Sequence, residues 1–437
     1  MAFDSGRITF CRFRVVGDAP ASVDETALSI LAEHAFRETE IGAPDEVETG
    51  FTTGQHLLDT QFSYEKNGYG LPGAGGGASM LLAAVRIDTH KVPADVKQAY
   101  RKLNEQAAAS GNPSGFASKA QKQEAGELAS RQIHEDLAAG KFRKSKLVPI
   151  LWDLSRGVLY CGATGNAVQE QLARLMRASF NVELEAISAG ALAGEMLRRQ
   201  GRTRDWEDLH PSPLTPAPPE AHAAMDEADA PTDVSIPTIP WRAQAVDLKD
   251  FLGNEWLIWL WWLAETADGV VPIKGEAGGG DEAFITIDKS LEMECAWGVR
   301  GKQSLRAGSS PVALTRLPEA GEALATGKWP RKLGLILADG ECQWDLSLQA
   351  DRLHVTSAAL PEVADAESPR ELTEARLALV ARLTSVLDGM YARFLEERTG
   401  PGWPGRREAL AGWIRQRRGG GQAKAGAGVA TVELAGA

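Results

Sequence analysis

Two carboxylates and a lysine near the end of an apolar run form the first pattern that could do chemistry. Asp88 follows the apolar residues 80–87, and Asp95 and Lys97 come next. Metal-dependent nucleases place carboxylates and a lysine in this order to hold a divalent cation and activate water. Pro93 is typical of the first turn of a helix, so the pattern puts Asp95 and Lys97 on a helix rather than on a neighbouring strand. A metal-dependent nuclease of DNA metabolism is therefore kept as an alternative function.

Other catalytic patterns do not occur in the sequence. It contains no GxxxxGK[ST] phosphate loop, no GxSxG elbow and no HExxH motif, and its seven histidines are isolated from one another. We therefore predict that the protein is not an enzyme and that it holds no cofactor and no metal. The cysteines are widely scattered, which predicts neither structural disulfides nor a zinc site. They are Cys11, Cys161, Cys295 and Cys342.

The segment 91–146 is basic within an acidic protein. The whole chain has a net charge of −12, which by itself argues against a nucleic-acid partner, but this segment has 11 Lys and Arg against 6 Asp and Glu. Exposed cations of this kind neutralise phosphates without reading sequence. The alternative is a solvated helix face whose acids balance its bases. The candidate phosphate contacts are Lys97, Arg101, Lys102, Lys119, Lys122, Lys141, Arg143, Lys144 and Lys146.

Two helices and a β-hairpin are predicted to position these cations. The first helix begins at Pro93, and the second begins at Ser118 and runs to about Ala139, with Gly140 ending it. Residues 141–146 are expected to form a loop. Two strands, 147–152 and 157–161, follow as a hairpin.

The length and the prolines indicate an α+β protein of two domains. Residues 211–245 are rich in Pro, Ala and acids, which predicts a semi-rigid linker between domains at 1–210 and 246–418. The second domain should begin with a buried Trp-rich helix and end in a long amphipathic helix near 369–399, and 419–437 should be a disordered tail. No apolar run approaches the roughly 20 residues of a membrane span and no secretory signal is present, so we expect a cytoplasmic protein.

Four segments in a fixed order carry a resemblance over about residues 1–200. They are Glu48-Thr49-Gly50-Phe51 and the runs 91–100, 119–125 and 151–160. In order and spacing they resemble the recombination-associated protein RdgC family. The resemblance implies an RdgC-like N-terminal domain and a nucleoid-associated protein that binds duplex DNA with little sequence preference. Family members act as ring-like homodimers with a basic hole, modulate recombination and have no established catalytic residues.

A protein-interaction module without DNA affinity is the other alternative. The long helix near 369–399 and the Trp-rich helix could bury an interface with a second copy or with another protein. Dimerisation without DNA binding would favour that function.

Overall fold

The chain is a mixed α+β protein that divides into two compact units. The computed structural model describes residues 3–38, 46–71, 77–219, 236–273, 282–298, 301–306 and 313–417. Unit 1 comprises the described residues of Met1–Ile187, Cys342–Leu346 and Arg352–Ser385. Unit 2 comprises those of Ser188–Glu341, Ser347–Asp351 and Val386–Ala437.

The strands and helices of the described residues are numbered in chain order. The strands are β1 (Ile8–Val16), β2 (Val47–Thr52), β3 (Gly68–Tyr69), β4 (Met80–His90), β5 (Arg143–Asp153), β6 (Val158–Cys161), β7 (Glu183–Ala186), β8 (Val270–Pro272), β9 (Glu282–Cys295), β10 (Lys302–Arg306), β11 (Lys328–Asp339), β12 (Cys342–Gln349) and β13 (His354–Ala359). The helices are α1 (Glu25–Glu33), α2 (Tyr64–Asn67), α3 (Ala94–Ser110), α4 (Lys119–Ala138), α5 (Asn166–Phe180), α6 (Ala189–Arg199), α7 (Thr203–Glu207), α8 (Phe251–Thr266), α9 (Pro318–Ala325), α10 (Pro369–Arg398) and α11 (Trp403–Gln416).

A large antiparallel sheet organises unit 1. Its strand order is β13-β1-β6-β5-β4-β2, with β3 also paired to β4 and β7 to β1. One face of the sheet carries a hydrophobic core that includes residues of α1 and α5, and Trp152 packs edge-on against Phe180 with ring centroids 5.1 Å apart. The β5–β6 hairpin predicted from the sequence is confirmed, with Asp153 opposite Val158.

The longest ladder of unit 1 joins β4 and β5 over 11 pairs, from Met80 opposite Asp153 to His90 opposite Arg143. The chain leaves the sheet at His90 and returns at Arg143, and α3 and α4 lie between these points. We call α3, α4 and their connection, residues 94–138, the helical arm. Because the ladder is continuous, the two ends of the helical arm start from neighbouring positions.

Unit 2 is built on a sheet with strand order β10-β9-β11, in which β8 also pairs with β9. The Trp-rich helix α8 is buried almost along its whole length, as its apolar sequence predicts. Trp256 lies 5.2 Å from the ring of Tyr391, and Trp259 lies 5.8 Å from that of Phe394. Trp256, Trp259 and Trp261 are therefore core residues rather than an exposed stacking platform, and Trp262 is half-buried.

The predicted linker 211–245 differs from the structure in its described parts. Ser212 and Thr215 are buried in unit 2, where the indole N–H groups of Trp297 and Trp329 donate to Thr215 Oγ1 at 3.2 and 2.9 Å. Trp403 Nε1 donates to Ser212 Oγ at 3.3 Å. Buried indoles need acceptors, and the proline-rich segment supplies them. Residues 220–235 lie outside the described residues.

The predicted domain boundaries also differ from the units. Helices α6 and α7, assigned from the sequence to the first domain, belong to unit 2, whereas β13 and the start of α10 belong to unit 1. The reason is a long-range strand pair, since β13 lies antiparallel to β1 with Ile8 opposite Ala358. The long helix near 369–399 is present as α10, but α11 follows it, and the tail 419–437 lies outside the described residues. Among the described residues, no helix combines the length and the apolar character that crossing a membrane requires.

Candidate nucleic-acid interface

The helical arm is held together by polar side chains rather than by a hydrophobic core. Tyr100 donates to Asp136 Oδ2 at 2.5 Å, Asn104 bonds Gln132 at 3.0 Å, and Asn112 Nδ2 donates to Gln121 at 2.7 Å. No side chain of α3 is buried, and in α4 only Ala125 and Ala129 are. The arm therefore exposes most of its surface to solvent.

Local capping fixes where the two helices begin and end. Ser118 caps α4 and accepts from the backbone N–H of Gln121, whose side chain accepts from the Ser118 N–H in return, which completes a capping box. Gly140 follows α4 with a φ of 73°, a conformation that favours glycine. Helix α3 begins directly after Pro93. These boundaries confirm the sequence prediction to within about one residue.

The side chains that join α3 to α4, among them Tyr100 of α3 and Ala125 of α4, form a line that we call the seam. The seam determines which cations share a face. A residue three positions before a seam residue is rotated by about 60° from it, and one position after by about 100°, in the same sense. Lys97 and Arg101 flank Tyr100 in this way, and Lys122 lies three positions before the buried Ala125. Lys119 lies one turn before Lys122, on the same flank.

Two antiparallel helices are related by a local twofold axis perpendicular to the plane that contains both helices. Residues that are rotated from the seam by similar angles in the same sense therefore lie on the same side of that plane. Lys97 and Arg101 of α3 therefore share one face with Lys119 and Lys122 of α4, and we call these four residues the basic face. Lys102 lies two positions beyond Tyr100, about 200° from it, and so points away from the seam and off this face.

The predicted loop 141–146 is wrong, because β5 begins at Arg143. Arg143, Lys144 and Lys146 are strand residues whose side chains alternate between the two faces of the sheet. Lys144 and Lys146 share the side of Val148, whose side chain belongs to the hydrophobic core, whereas Arg143 lies on the opposite side. Only Lys141 precedes the strand, and its ammonium bonds Asp136 Oδ1 at 2.5 Å. The nine cations thus do not form one continuous surface.

Arg143 belongs to an ion-pair cluster where the helical arm meets the sheet. Its guanidinium lies 2.9 Å from Glu38, which also lies 2.9 Å from the buried Arg86. Arg86 in turn makes two hydrogen bonds to the buried Asp88, at 3.0 and 2.6 Å, and stacks 4.0 Å from the ring of Phe36. Arg143, followed by Arg86, lowers the pKa of Glu38. Arg143 therefore stabilises the end of the helical arm that joins the sheet, which we call its root; the opposite end, at the connection between α3 and α4, is its tip.

The same ion-pair cluster determines the charge state of Asp88, the first carboxylate of the nuclease pattern. Burial raises the pKa of Asp88, but the hydrogen bonds from Arg86 and Ser145 outweigh it and leave the pKa lowered, so this carboxylate is ionised and neutralised by Arg86. Asp95 lies exposed in the first turn of α3. Within the described ranges, no cluster of three or more His, Cys, Asp or Glu side chains could hold a metal ion.

The candidate cations differ in whether they have a carboxylate partner. All nine are exposed. Arg101 bonds Glu105 at 2.9 Å within α3, and Lys141 and Arg143 have the partners given above. Considering only the described part of the chain, the other six have no carboxylate within 4.0 Å. They are Lys97, Lys102, Lys119, Lys122, Lys144 and Lys146.

The sequence did not reveal Glu38 and Arg86, because their connection to Arg143 depends on pairing across β4 and β5. Comparisons with known proteins add no family assignment. No protein-family model matches the chain, and no curated protein matches it either.

Proposed function

We propose that the protein binds duplex DNA without sequence preference, through contacts of Lys and Arg side chains with phosphates. The observation that carries the proposal is the basic face, on which three lysines and one arginine project from an exposed helical arm. Lys97, Lys119 and Lys122 have no carboxylate within 4.0 Å in the described chain, so they are available to an external anion. A phosphate backbone is a repeating anion that such side chains neutralise without contacts to base edges.

The spacing of the basic face suits a repeating anion. Lys97 and Arg101 are four residues apart on α3, which corresponds to about 6 Å along the helix. Lys119 and Lys122 lie at the other end of the arm, near its tip, so cations line the face from root to tip. Arg101 reaches its anion only by releasing Glu105, so we expect it to contribute less than the lysines.

The resemblance to the RdgC family extends the proposal. It supports an RdgC-like unit 1, a homodimer, a nucleoid location in the cytoplasm and a role in recombination, without a catalytic step. The strand, the helical arm and the β5–β6 hairpin occur in unit 1 in the order on which the resemblance depends.

A protein-interaction module is the second candidate, favoured by one observation. Leu103, Phe116 and Leu128 of the helical arm are 60%, 80% and 38% exposed. Leu103 and Leu128 lie on the flank of the seam opposite to the basic face, so a protein partner could use the arm without competing for its cations.

A fluorescence-anisotropy titration of the full chain tests the proposal. The probe is a labelled duplex of about 30 base pairs of random sequence, titrated at about 50 mM and about 200 mM salt. If the four cations of the basic face neutralise about four phosphates, the affinity should fall by roughly 150-fold between the two conditions. A second duplex of unrelated sequence should bind equally well.

No binding at the lower salt concentration would overturn the proposal, and sedimentation would then test the interaction module. Binding that is insensitive to salt would also overturn it. Loss of the probe that requires Mg²⁺ and disappears in Asp95→Ala, which leaves the buried pair of Asp88 with Arg86 intact, would instead support the nuclease.

A further inference from the structure

Two cysteines that are 150 positions apart in sequence meet in the core of unit 1. Cys11 of β1 lies directly opposite Cys161 of β6, and both side chains are buried in the hydrophobic core. Their wide separation along the chain does not reveal this pairing. Both are present as free thiols.

The backbone hydrogen bonds show whether Cys11 and Cys161 form a hydrogen-bonded or a non-hydrogen-bonded pair of the antiparallel ladder. Val15 N–H donates to the Gly157 carbonyl at 2.9 Å, which makes Val15 and Gly157 a hydrogen-bonded pair of the ladder. Hydrogen-bonded pairs recur at every second position, so the pair of Cys11 with Cys161 is also of this type. Its Cα atoms are then about 5.5 Å apart, within the range that a disulfide spans, but its Cβ atoms must approach by roughly 1 Å.

The polar surroundings distinguish the two sulfurs. The Cys11 thiol lies 3.2 Å from the Ala163 carbonyl, and Gln169 Nε2 donates to Cys11 Sγ at 3.3 Å. The neighbouring thiol of Cys11 lowers the pKa of Cys161, whereas the thiol of Cys161 and burial raise the pKa of Cys11. These directions favour Cys161 as the attacking thiolate and Cys11 as the second thiol.

We infer that Cys11 and Cys161 form an oxidisable dithiol, which a peroxide converts into a reversible disulfide between β1 and β6. In the first step the Cys161 thiolate attacks one peroxide oxygen, the O–O bond breaks, and a sulfenic acid and hydroxide form. In the second step the Cys11 sulfur attacks the sulfur of the sulfenic acid, an S–S bond forms, and the S–O bond breaks. The oxygen leaves as water with the Cys11 proton, and the hydroxide takes a proton from solvent. The two thiols lose two electrons, and the peroxide gains them.

The register predicts that this disulfide is easily reduced. Closing the Cβ–Cβ distance strains a hydrogen-bonded pair, and strained disulfides have more oxidising potentials than structural ones. The bond would close a loop that contains β2, β4 and the helical arm, so oxidation should raise the melting temperature of unit 1. Because both thiols are buried, reaction requires local opening of the sheet and should be slow.

Peptide mapping of the wild-type chain tests the inference without any substitution. The folded protein is exposed to hydrogen peroxide, quenched, alkylated and digested without reductant. The expected result is a cross-linked peptide pair containing Cys11 and Cys161, with an intact-protein mass lowered by about 2 Da, and recovery of both thiols with dithiothreitol. The chain with both Cys295→Ser and Cys342→Ser should give the same cross-link.

Two matched variants assign the roles of the sulfurs. Cys11→Ser should leave Cys161 as a sulfenic acid that a dimedone probe traps, whereas Cys161→Ser should leave Cys11 unmodified over the same time. The inference is overturned if both thiols of the wild-type chain remain alkylatable, or if Cys161 is oxidised to a sulfinic acid without forming the cross-link.

Discussion

Two double variants of the helical arm distinguish the effect of the basic face on DNA binding from the effect of the arm's total charge. Lys97→Ala with Lys122→Ala removes two cations of the basic face. Lys102→Ala with Arg131→Ala removes two cations that lie off it, since Arg131 lies one position before the seam residue Gln132 and so on the opposite flank. Each variant lowers the net charge by two and replaces exposed helical residues with alanine, the best helix former. None of the four residues takes part in the seam. A difference between the variants therefore reports on position and not on total charge.

The expected magnitude follows from the release of counterions. Each neutralised phosphate contributes about 0.9 to the slope of log affinity against log salt concentration, so the first variant should lower the slope by about 1.8. If the electrostatic contribution vanishes near 1 M salt, affinity should fall about 200-fold at 50 mM and about 20-fold at 200 mM. The control variant should stay within about threefold of the wild type, since its charges act only through the screened field of the arm.

The assay is the same anisotropy titration at several salt concentrations, with circular dichroism to show that both variants keep their helices. Equal losses in the two variants would refute the assignment of a face, although DNA binding itself would stand. An unchanged slope in the first variant would refute the view that Lys97 and Lys122 contact phosphates.

Three further predictions concern stability. Asp88→Ala should destabilise the protein by about 3–5 kcal/mol in chemical denaturation, because it leaves Arg86 buried without its closest partner, and Arg86→Met with Asp88→Leu should recover much of this. Burial raises the pKa of Asp250 to about 6, so the stability that it contributes is fully present below the unfolded pKa near 4 and is lost as the pH rises through about 6. Melting curves at about pH 5 and pH 7.5 should therefore differ more for the wild type than for Asp250→Asn. Amides of the helical arm should exchange with deuterium at free energies well below those of β4 and β5, since α3 buries no side chain; equal protection would contradict this.

Signals that act within a few residues allowed the helical arm to be predicted from the sequence. Ser118 caps α4 through a backbone N–H three residues away, and Gly140 ends it through its own conformation. These interactions are complete within the segment, so no knowledge of the rest of the fold is needed.

Elements that depend on partners distant in the sequence could not be predicted in this way. The residues 143–146 show no apolar alternation, and they form a strand because β4 offers a ladder that continues to His90. The same reason explains why β13 was assigned to the second domain, since only its pairing with β1 places it in unit 1. Proline content predicted a linker, whereas buried indoles that need acceptors hold the described part of that segment in unit 2.

The basic face also shows why charge totals are a poor guide to a polyanion site. The segment 91–146 has an excess of five cations, but the helical arm itself, residues 94–138, has six Lys and Arg and six Asp and Glu, so its net charge is zero. An attraction for phosphate can then arise only if the two signs are separated in space. The polar seam makes much of this separation: it brings Lys97, Arg101, Lys119 and Lys122 to one face and places Glu124 and Glu135 on the opposite flank. Glu105 stays on the basic face, where it pairs with Arg101. A change of seam register by one residue would mix the charges without altering the composition, and the affinity for DNA should then disappear although every cation remains.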